Sequence, residues 1–215
     1  MGPLSRALPL LAACLLVAAP AAHAADDPYT ALLAPAGTCG AAADTLSVDP
    51  GTARSTMLCL TNYARTHSGL SPLRANPLLN AAGNAKLAAD LSCGEFSHTP
   101  CGSPFQSVFS GYLEGATTYA IGENIAWGTG SYGTPRSTMN SWLHSTGHRE
   151  NILNGQYAEL GVGYAPGTTF QGYAGATLWS QEFGVRSAPA TTPATAKSKA
   201  KPAPPKRRRR SSSRR

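Results

Sequence analysis

Three polar side chains in short, distinctive stretches of the sequence could carry chemistry. They are His98 in GEFSHTPCG (94–102), Glu123 in AIGENIAWG (120–128) and His148 in SWLHSTGHRENIL (141–153). Imidazoles and carboxylates serve as general acids and bases, and imidazoles also bind zinc. A carboxylate beside Ile121 and Ile125 must face solvent or be paired, because a lone buried charge costs too much free energy. Each of the three residues is therefore a candidate site residue.

The same stretches leave other interpretations open. His98 is equally consistent with a histidine on a surface turn, and a lone glutamate such as Glu123 is usually solvated. His144 and His148 have the spacing of a two-histidine metal face on a helix, but Gly147 lies between them and no glutamate follows His144. Ser97 and Ser145 lie near histidines, yet the sequence has no Gly-x-Ser-x-Gly elbow. Covalent catalysis is therefore not favoured.

The N-terminus, MGPLSRALPLLAACLLVAAPAAHA, predicts a secretory signal peptide over 1–24. It has a positive charge at Arg6, a short apolar run and a small-residue cleavage site that ends near Ala24. Cys14 lies in a stretch similar to a lipoprotein box, although the apolar run continues beyond it. The sequence therefore predicts a secreted or cell-envelope protein with no transmembrane segment after signal removal.

Removal of the signal leaves four cysteines, and an even number in an exported chain predicts two disulfides. Of the three pairings, we favour Cys39–Cys59 and Cys93–Cys101, because each joins neighbours in the sequence. A reduced pair or a metal site is the alternative, but the Cys93–Cys101 spacing is not that of a zinc knuckle. The second disulfide would hold the loop that contains His98, as a site requires.

Charge divides the chain into parts. Residues 25–186 contain seven Lys/Arg and eleven Asp/Glu, so the domain is mildly acidic, whereas residues 187–215 contain ten Lys/Arg and no acid. We predict a loose leader over 25–50, a globular domain over 51–186 and a disordered basic tail over 187–215, which lacks aromatic and large aliphatic residues. The tail contains five successive cations: Lys206, Arg207, Arg208, Arg209 and Arg210. They would bind anionic envelope polymers, lipid headgroups or DNA, or form a solvated tail with no partner.

Periodicity predicts helices before strands in the domain, which indicates the α+β class. Three helices are predicted to begin at cap-then-proline pairs, Asn76-Pro77, Ser103-Pro104 and Thr134-Pro135, and a further helix is predicted over 52–66. Strands are predicted at 120–128, 159–165 and 177–184, the last two pairing across a glycine-rich connection.

Six stretches together resemble the CAP (SCP-like extracellular) family, which includes cysteine-rich secretory, antigen 5 and pathogenesis-related 1 proteins. They are LTNYARTHSGLSPLRANPLL, FSHTPCGSPF, IGENIAWG, SWLHSTGHRENILN, ELGVGYA and LWSQEFG, in the family's order over about 55–185, and GHRENIL is similar to the bacterial branch. The resemblance implies an α-β-α sandwich with a small antiparallel sheet between helical layers. It also implies a cleft lined by two histidines and two acids. His98, Glu123 and His148 match three of these positions, and Ser145 stands where the second acid would be.

The resemblance does not settle the function, because the family has no single chemistry. We expect a non-enzymatic module that binds a small apolar ligand or a peptide in the cleft. A metal-dependent, peptidase-like hydrolase that uses His98, His148 and Glu123, with zinc at the two histidines, is the alternative, weakened by the missing acid. A structural envelope protein held by its basic tail is a third interpretation.

Overall fold

The computed structural model describes residues 27–187, so the predicted signal peptide and all but the first residue of the basic tail lie outside the described residues. Within this range the chain forms five α-helices and four strands. The helices are α1 (Pro50–His67), α2 (Pro77–Cys93), α3 (Ser110–Leu113), α4 (Pro135–Leu143) and α5 (Thr146–Ile152). The strands are β1 (Arg74–Ala75), β2 (Tyr119–Thr129), β3 (Glu159–Phe170) and β4 (Tyr173–Arg186). No helix of this part of the chain is long and apolar enough to cross a membrane.

Two of the three predicted cap-then-proline starts are confirmed. The Asn76 side chain accepts from the Leu78 backbone amide at 2.9 Å at the start of α2, and Thr134 caps α4 in the same way. The prediction at Ser103 was wrong, because Pro104 keeps an extended ψ of 139° and a 3-10 turn, Phe105–Phe109, precedes α3. Helix α5 was predicted only as a short turn.

The strands form one sheet in the order β1-β3-β4-β2, which leaves β2 at an edge. Strand β3 pairs antiparallel with β4 across the turn at 171–172, as predicted, and β4 pairs antiparallel with β2. Only β1 runs parallel to its neighbour, β3.

Helices cover both faces of the sheet, so the predicted α-β-α sandwich is confirmed. Helices α1, α4 and α5 bury one face in a core that contains Trp142, Trp179 and Phe183. Helix α2 covers the other face, where glycine allows a close approach: a Cβ on Gly161 would lie 2.0 Å from the Leu79 backbone carbonyl carbon. The site described below lies between these two helical layers, at the β2 edge.

The segment before α1 packs against the domain, in contrast to the predicted loose leader. Ala34 and Ala43 are buried, and the predicted Cys39–Cys59 disulfide joins the segment to α1. Arg136 of α4 donates to Asp44 Oδ1 at 2.7 Å and also to the Ala34 carbonyl. A covalent bond and an arginine thus hold a segment that has little apolar periodicity.

Candidate functional site

The candidate site lies along the free edge of β2. Three side chains from α4, α5 and the loop before β3 donate to backbone carbonyls of alternate residues on this strand. The pairs are Tyr157 and Ile121 at 3.2 Å, Asn151 and Glu123 at 3.1 Å, and Trp142 and Ile125 at 3.1 Å. An unprotected edge strand invites pairing with other chains, and these donors occupy its acceptors. They also fix α4 and α5 against β2.

His98 lies in the loop that follows α2, inside the predicted Cys93–Cys101 disulfide. Its Nδ1 lies 2.6 Å from Glu123 Oε1, a charge-assisted contact when the imidazole is protonated. The side chain of His98 is 52% exposed, whereas that of Glu123 is 1% exposed. Lys86 of α2 donates to the Ser97 carbonyl and so anchors the loop from below. The structure therefore brings His98 and Glu123 together on a rigid support.

His148 lies on α5, half-buried and without a protein partner for its Nδ1. Burial lowers the pKa of His148, and the nearby charge of His98 lowers it further. Its backbone carbonyl accepts from the Asn124 side chain at 3.0 Å. His148 is therefore a neutral imidazole near pH 7.

A chain of buried amide side chains holds α5 against the sheet. Asn151 of α5 donates to Asn124 Oδ1 at 2.9 Å, and Asn124 donates to Gln181 Oε1 at 3.0 Å. Gln181 in turn donates to the Thr61 hydroxyl of α1 at 2.7 Å. Such a network is stable because each donor finds an acceptor. It sets the position of His148 from the face of the sheet that α1, α4 and α5 cover, and its only signal in the sequence was the presence of polar residues within predicted strands.

A cavity of about 240 Å³ opens beside His148. Its walls are mainly apolar, and its polar groups are few. The lining residues are Phe96, Ile125, Ala126, Trp127, Ser141, Trp142, Ser145 and His148. Ser145 thus lies in the cavity, where it precedes α5 without a capping hydrogen bond from its side chain. Larger hollows of about 440, 510 and 350 Å³ lie near Tyr119, Tyr132 and Arg54 and are lined by no histidine.

A buried cluster of charges lies beneath His98, on the α2 face of the sheet. Its members are Lys86, Asp90, Glu123 and Glu182, none more than 4% exposed. Lys86 Nζ lies 2.9 Å from Asp90 Oδ1 and 3.9 Å from Glu123 Oε1. Sequence reasoning identified only Glu123 of the four. The signal was weak, because a charged residue within a predicted helix or strand is usually solvated.

The contacts of the described residues bear on three alternatives: a serine nucleophile, a His144–His148 metal pair and a metal centre. Within residues 27–187, no serine hydroxyl is hydrogen-bonded to a histidine, and Ser97 instead accepts from the Thr99 backbone amide. His144 is not a partner of His148, because its imidazole contacts Asp27 and lies against Tyr29. The described residues contain no group of three His, Cys, Asp or Glu side chains placed to hold a metal ion.

A catalytic zinc site takes three protein ligands and a water. Here Glu123 faces Nδ1 of His98, so the donors that remain are the two imidazoles of His98 and His148. The residues present do not fit the zinc centre of the hydrolase alternative.

Comparison with known proteins places the chain in a family. Residues 58–183 match the model of the "CAP: Cysteine-rich secretory protein family". Over 126 residues the chain is 35% identical to "Uncharacterized protein YkwD" of Bacillus subtilis (strain 168), a match that covers 58% of this chain and 44% of that protein. The chain therefore spans less than half the length of this relative.

Two solved structures are also similar. One is an extracellular protein containing a SCP domain from Bacillus anthracis str. Ames, with 23% identity, a TM-score of 0.48, and coverage of 65% of this chain and 44% of that chain. The other is an outer surface protein from Borrelia burgdorferi, with 17% identity, a TM-score of 0.48, and coverage of 59% of this chain and 87% of that chain. The family match itself covers more than half of the sequence, so the protein belongs to the cysteine-rich secretory protein (CAP) family, as its motifs predicted.

Proposed function

We propose that the domain is a non-enzymatic binding module that acts outside the cell and holds a small apolar ligand, or an apolar segment of a peptide, in the cavity beside His148. The observation that carries this proposal is the cavity itself, whose lining combines Phe96, Ile125, Trp127 and Trp142 with the imidazole of His148. Ligand pockets combine apolar walls with a few placed polar groups in this way.

Binding of a neutral probe tests this proposal. Nile red fluoresces more strongly in an apolar environment, and Trp127 and Trp142 line the cavity, so dye fluorescence and tryptophan quenching should report the same event. Ser145→Phe would fill the cavity and should abolish binding. Ser131→Phe places the same side chain in a different hollow, near Tyr132, and should leave binding intact. Equal binding by the two variants would show that the cavity beside His148 is not the binding site.

We also propose that the run Lys206–Arg210 holds the exported protein on anionic polymers of the cell envelope. Binding through cations should weaken steeply as salt rises, because each neutralised anion releases a counterion. A variant without the tail tests this role. It should keep Ser187, because the Ser187 hydroxyl accepts from the backbone amides of Thr117 and Thr118 at 3.1 Å. Removal of 188–215 should abolish salt-sensitive retention on envelope polymers, and a variant with glutamine at the five positions should do the same. Unchanged retention of either protein would refute the role of the tail.

Export is part of the proposal. Mass spectrometry of the protein recovered outside the cell should give an N-terminus next to Ala24, and a protein that retains its first 24 residues would contradict cleavage there.

A further inference from the structure

Two glutamates face each other across neighbouring strands in the interior. Glu123 of β2 and Glu182 of β4 are direct partners in the antiparallel register, and both lie on the face that α2 covers. Glu123 is 4% exposed and Glu182 is 0% exposed. Directly opposed residues bring their Cβ atoms within about 4.5–5.5 Å, and like charges there destabilise a sheet. An ordinary pair of ionised glutamates does not account for this arrangement.

The partners of the carboxyl groups differ. Asp90 is bound by Lys86 at 2.9 Å, and Glu123 is bound by His98 at 2.6 Å. Neither carboxyl oxygen of Glu182 has a protein hydrogen-bond partner, and the same is true of Glu123 Oε2 and of the buried hydroxyl of Ser180. Glu182 is thus the carboxyl group of the cluster with no cation of its own.

The charges that face Glu182 favour its neutral form. Burial raises the pKa of Glu182 well above its usual range, and the charge of Glu123 raises it further. The neighbouring Ser180 hydroxyl and Lys86 act in the opposite direction, and Asp90 opposes Lys86. Even with a protonated His98 beside Glu123, that imidazole and Lys86 balance only two of the three buried carboxylates, and no set of three ligands in the described part of the chain is placed to hold a metal ion instead. Protonation of one carboxyl group is the remaining way to remove a charge. It also gives that group a hydroxyl donor next to carboxyl oxygens that have no hydrogen-bond partner.

We propose that Glu182 carries a proton at neutral pH and, as a neutral acid, donates a hydrogen bond to Glu123, so that it acts as a positioning residue for the Glu123–His98 pair. The second acid of this site then comes from β4 and lies beneath the cleft, while Ser145 occupies the cleft position where the family resemblance implied an acid. This proposal concerns the support of the site and does not depend on which ligand the cavity binds.

Carboxyl ¹³C NMR of the full chain tests the protonation directly. With glutamate labelled at the side-chain carboxyl carbon, the resonance that disappears in Glu182→Gln belongs to Glu182. At pH 7 it should have the chemical shift of a protonated acid, whereas the resonance of exposed Glu114, assigned with Glu114→Gln, should have that of a carboxylate. A Glu182 resonance at the carboxylate shift would overturn the proposal.

The pH dependence of stability gives a second, independent test. A carboxyl group with a raised pKa in the folded state stabilises most below its unfolded pKa, and this contribution is lost as pH rises toward the folded value. Glutamine mimics the neutral acid at every pH, so Glu182→Gln should gain stability relative to the native chain above about pH 4.3. The ratio of their unfolding constants should change by up to about tenfold per pH unit. A difference that is constant from pH 4 to pH 8, or that favours the native chain more strongly at high pH, would contradict a protonated Glu182.

The positioning role requires a readout at His98. Because glutamine can still donate to Glu123 and alanine cannot, the imidazole ¹H–¹⁵N signals of His98 should stay unchanged in Glu182→Gln and shift in Glu182→Ala. Equal shifts in the two variants would show that the bond from Glu182 does not position the pair.

Discussion

Replacing Lys86 with methionine should severely destabilise the domain. The lysine is 1% exposed, and its ammonium group donates to Asp90 and to the Ser97 carbonyl. Methionine has a similar unbranched shape and fills the space, but it removes the positive charge from a cluster of buried carboxylates. Breaking a buried ion pair by removing one partner costs about 3–5 kcal/mol. A domain of ordinary stability has only about 5–15 kcal/mol of unfolding free energy, so the loss would be a large part of it.

Urea unfolding followed by tryptophan fluorescence measures this loss, provided that the slope of the transition is unchanged. A second variant, Lys86→Met/Asp90→Leu, removes both charges of the pair and should be more stable than Lys86→Met alone, because Asp90 no longer carries an unpaired buried charge. A double-mutant cycle with Asp90→Leu isolates the coupling. A loss below about 1 kcal/mol for Lys86→Met, which is typical of exposed ion pairs, would refute the view that Lys86 holds a buried cluster together.

Three further predictions test the scaffold and the second histidine. Gly161→Ala should prevent stable folding, seen as loss of the cooperative thermal transition, because its Cβ would lie 2.0 Å from the Leu79 backbone carbonyl carbon. Replacing Cys93 and Cys101 together by serine should lower the unfolding free energy by about 2–3 kcal/mol in a denaturant titration, and should broaden the NMR signals of the loop between them while the core signals stay sharp. The lowered pKa of His148 implies a contribution to stability that is present above its unfolded pKa, about 6.5, and is lost as pH falls toward the folded value. His148→Gln should therefore lose less stability than the native chain between about pH 7 and pH 5, and an identical loss would contradict this assignment.

Local rules predicted the parts of the fold that depend on near neighbours in the chain. Asn76-Pro77 and Thr134-Pro135 begin helices because the cap side chain accepts from free amides and the proline has no amide hydrogen that would need an acceptor. The Cys93–Cys101 pairing also joins close residues. The predicted helix start at Ser103-Pro104 was wrong because the backbone at Pro104 stays extended. The two residue types alone cannot show which ψ value the tertiary structure selects.

Features that depend on register were not predictable in the same way. Glu182 lies in a strand that was expected, but only the pairing of β2 with β4 places it against Glu123. A shift of one residue would point its side chain to the other face of the sheet. The same is true of Lys86. In a sequence, a lysine with an acid four residues later usually indicates a solvated pair on a helix surface. Only the packing of α2 against the sheet shows that Lys86 and Asp90 are buried.

The charge arrangement also constrains the ligand that the proposed cavity would hold. The position where the resemblance implied an acid is Ser145, a neutral side chain in the cavity wall, and the lowered pKa of His148 keeps that imidazole neutral near pH 7. The carboxyl groups of Asp90 and Glu123 lie beneath the site and are engaged with Lys86 and His98. A charged ligand group in the cavity would lose its hydration without meeting a free counter-charge there, which is costly. A neutral apolar group would lose little hydration free energy and would gain contact with Trp127 and Trp142. The neutral lining of the cavity therefore favours a neutral, apolar ligand.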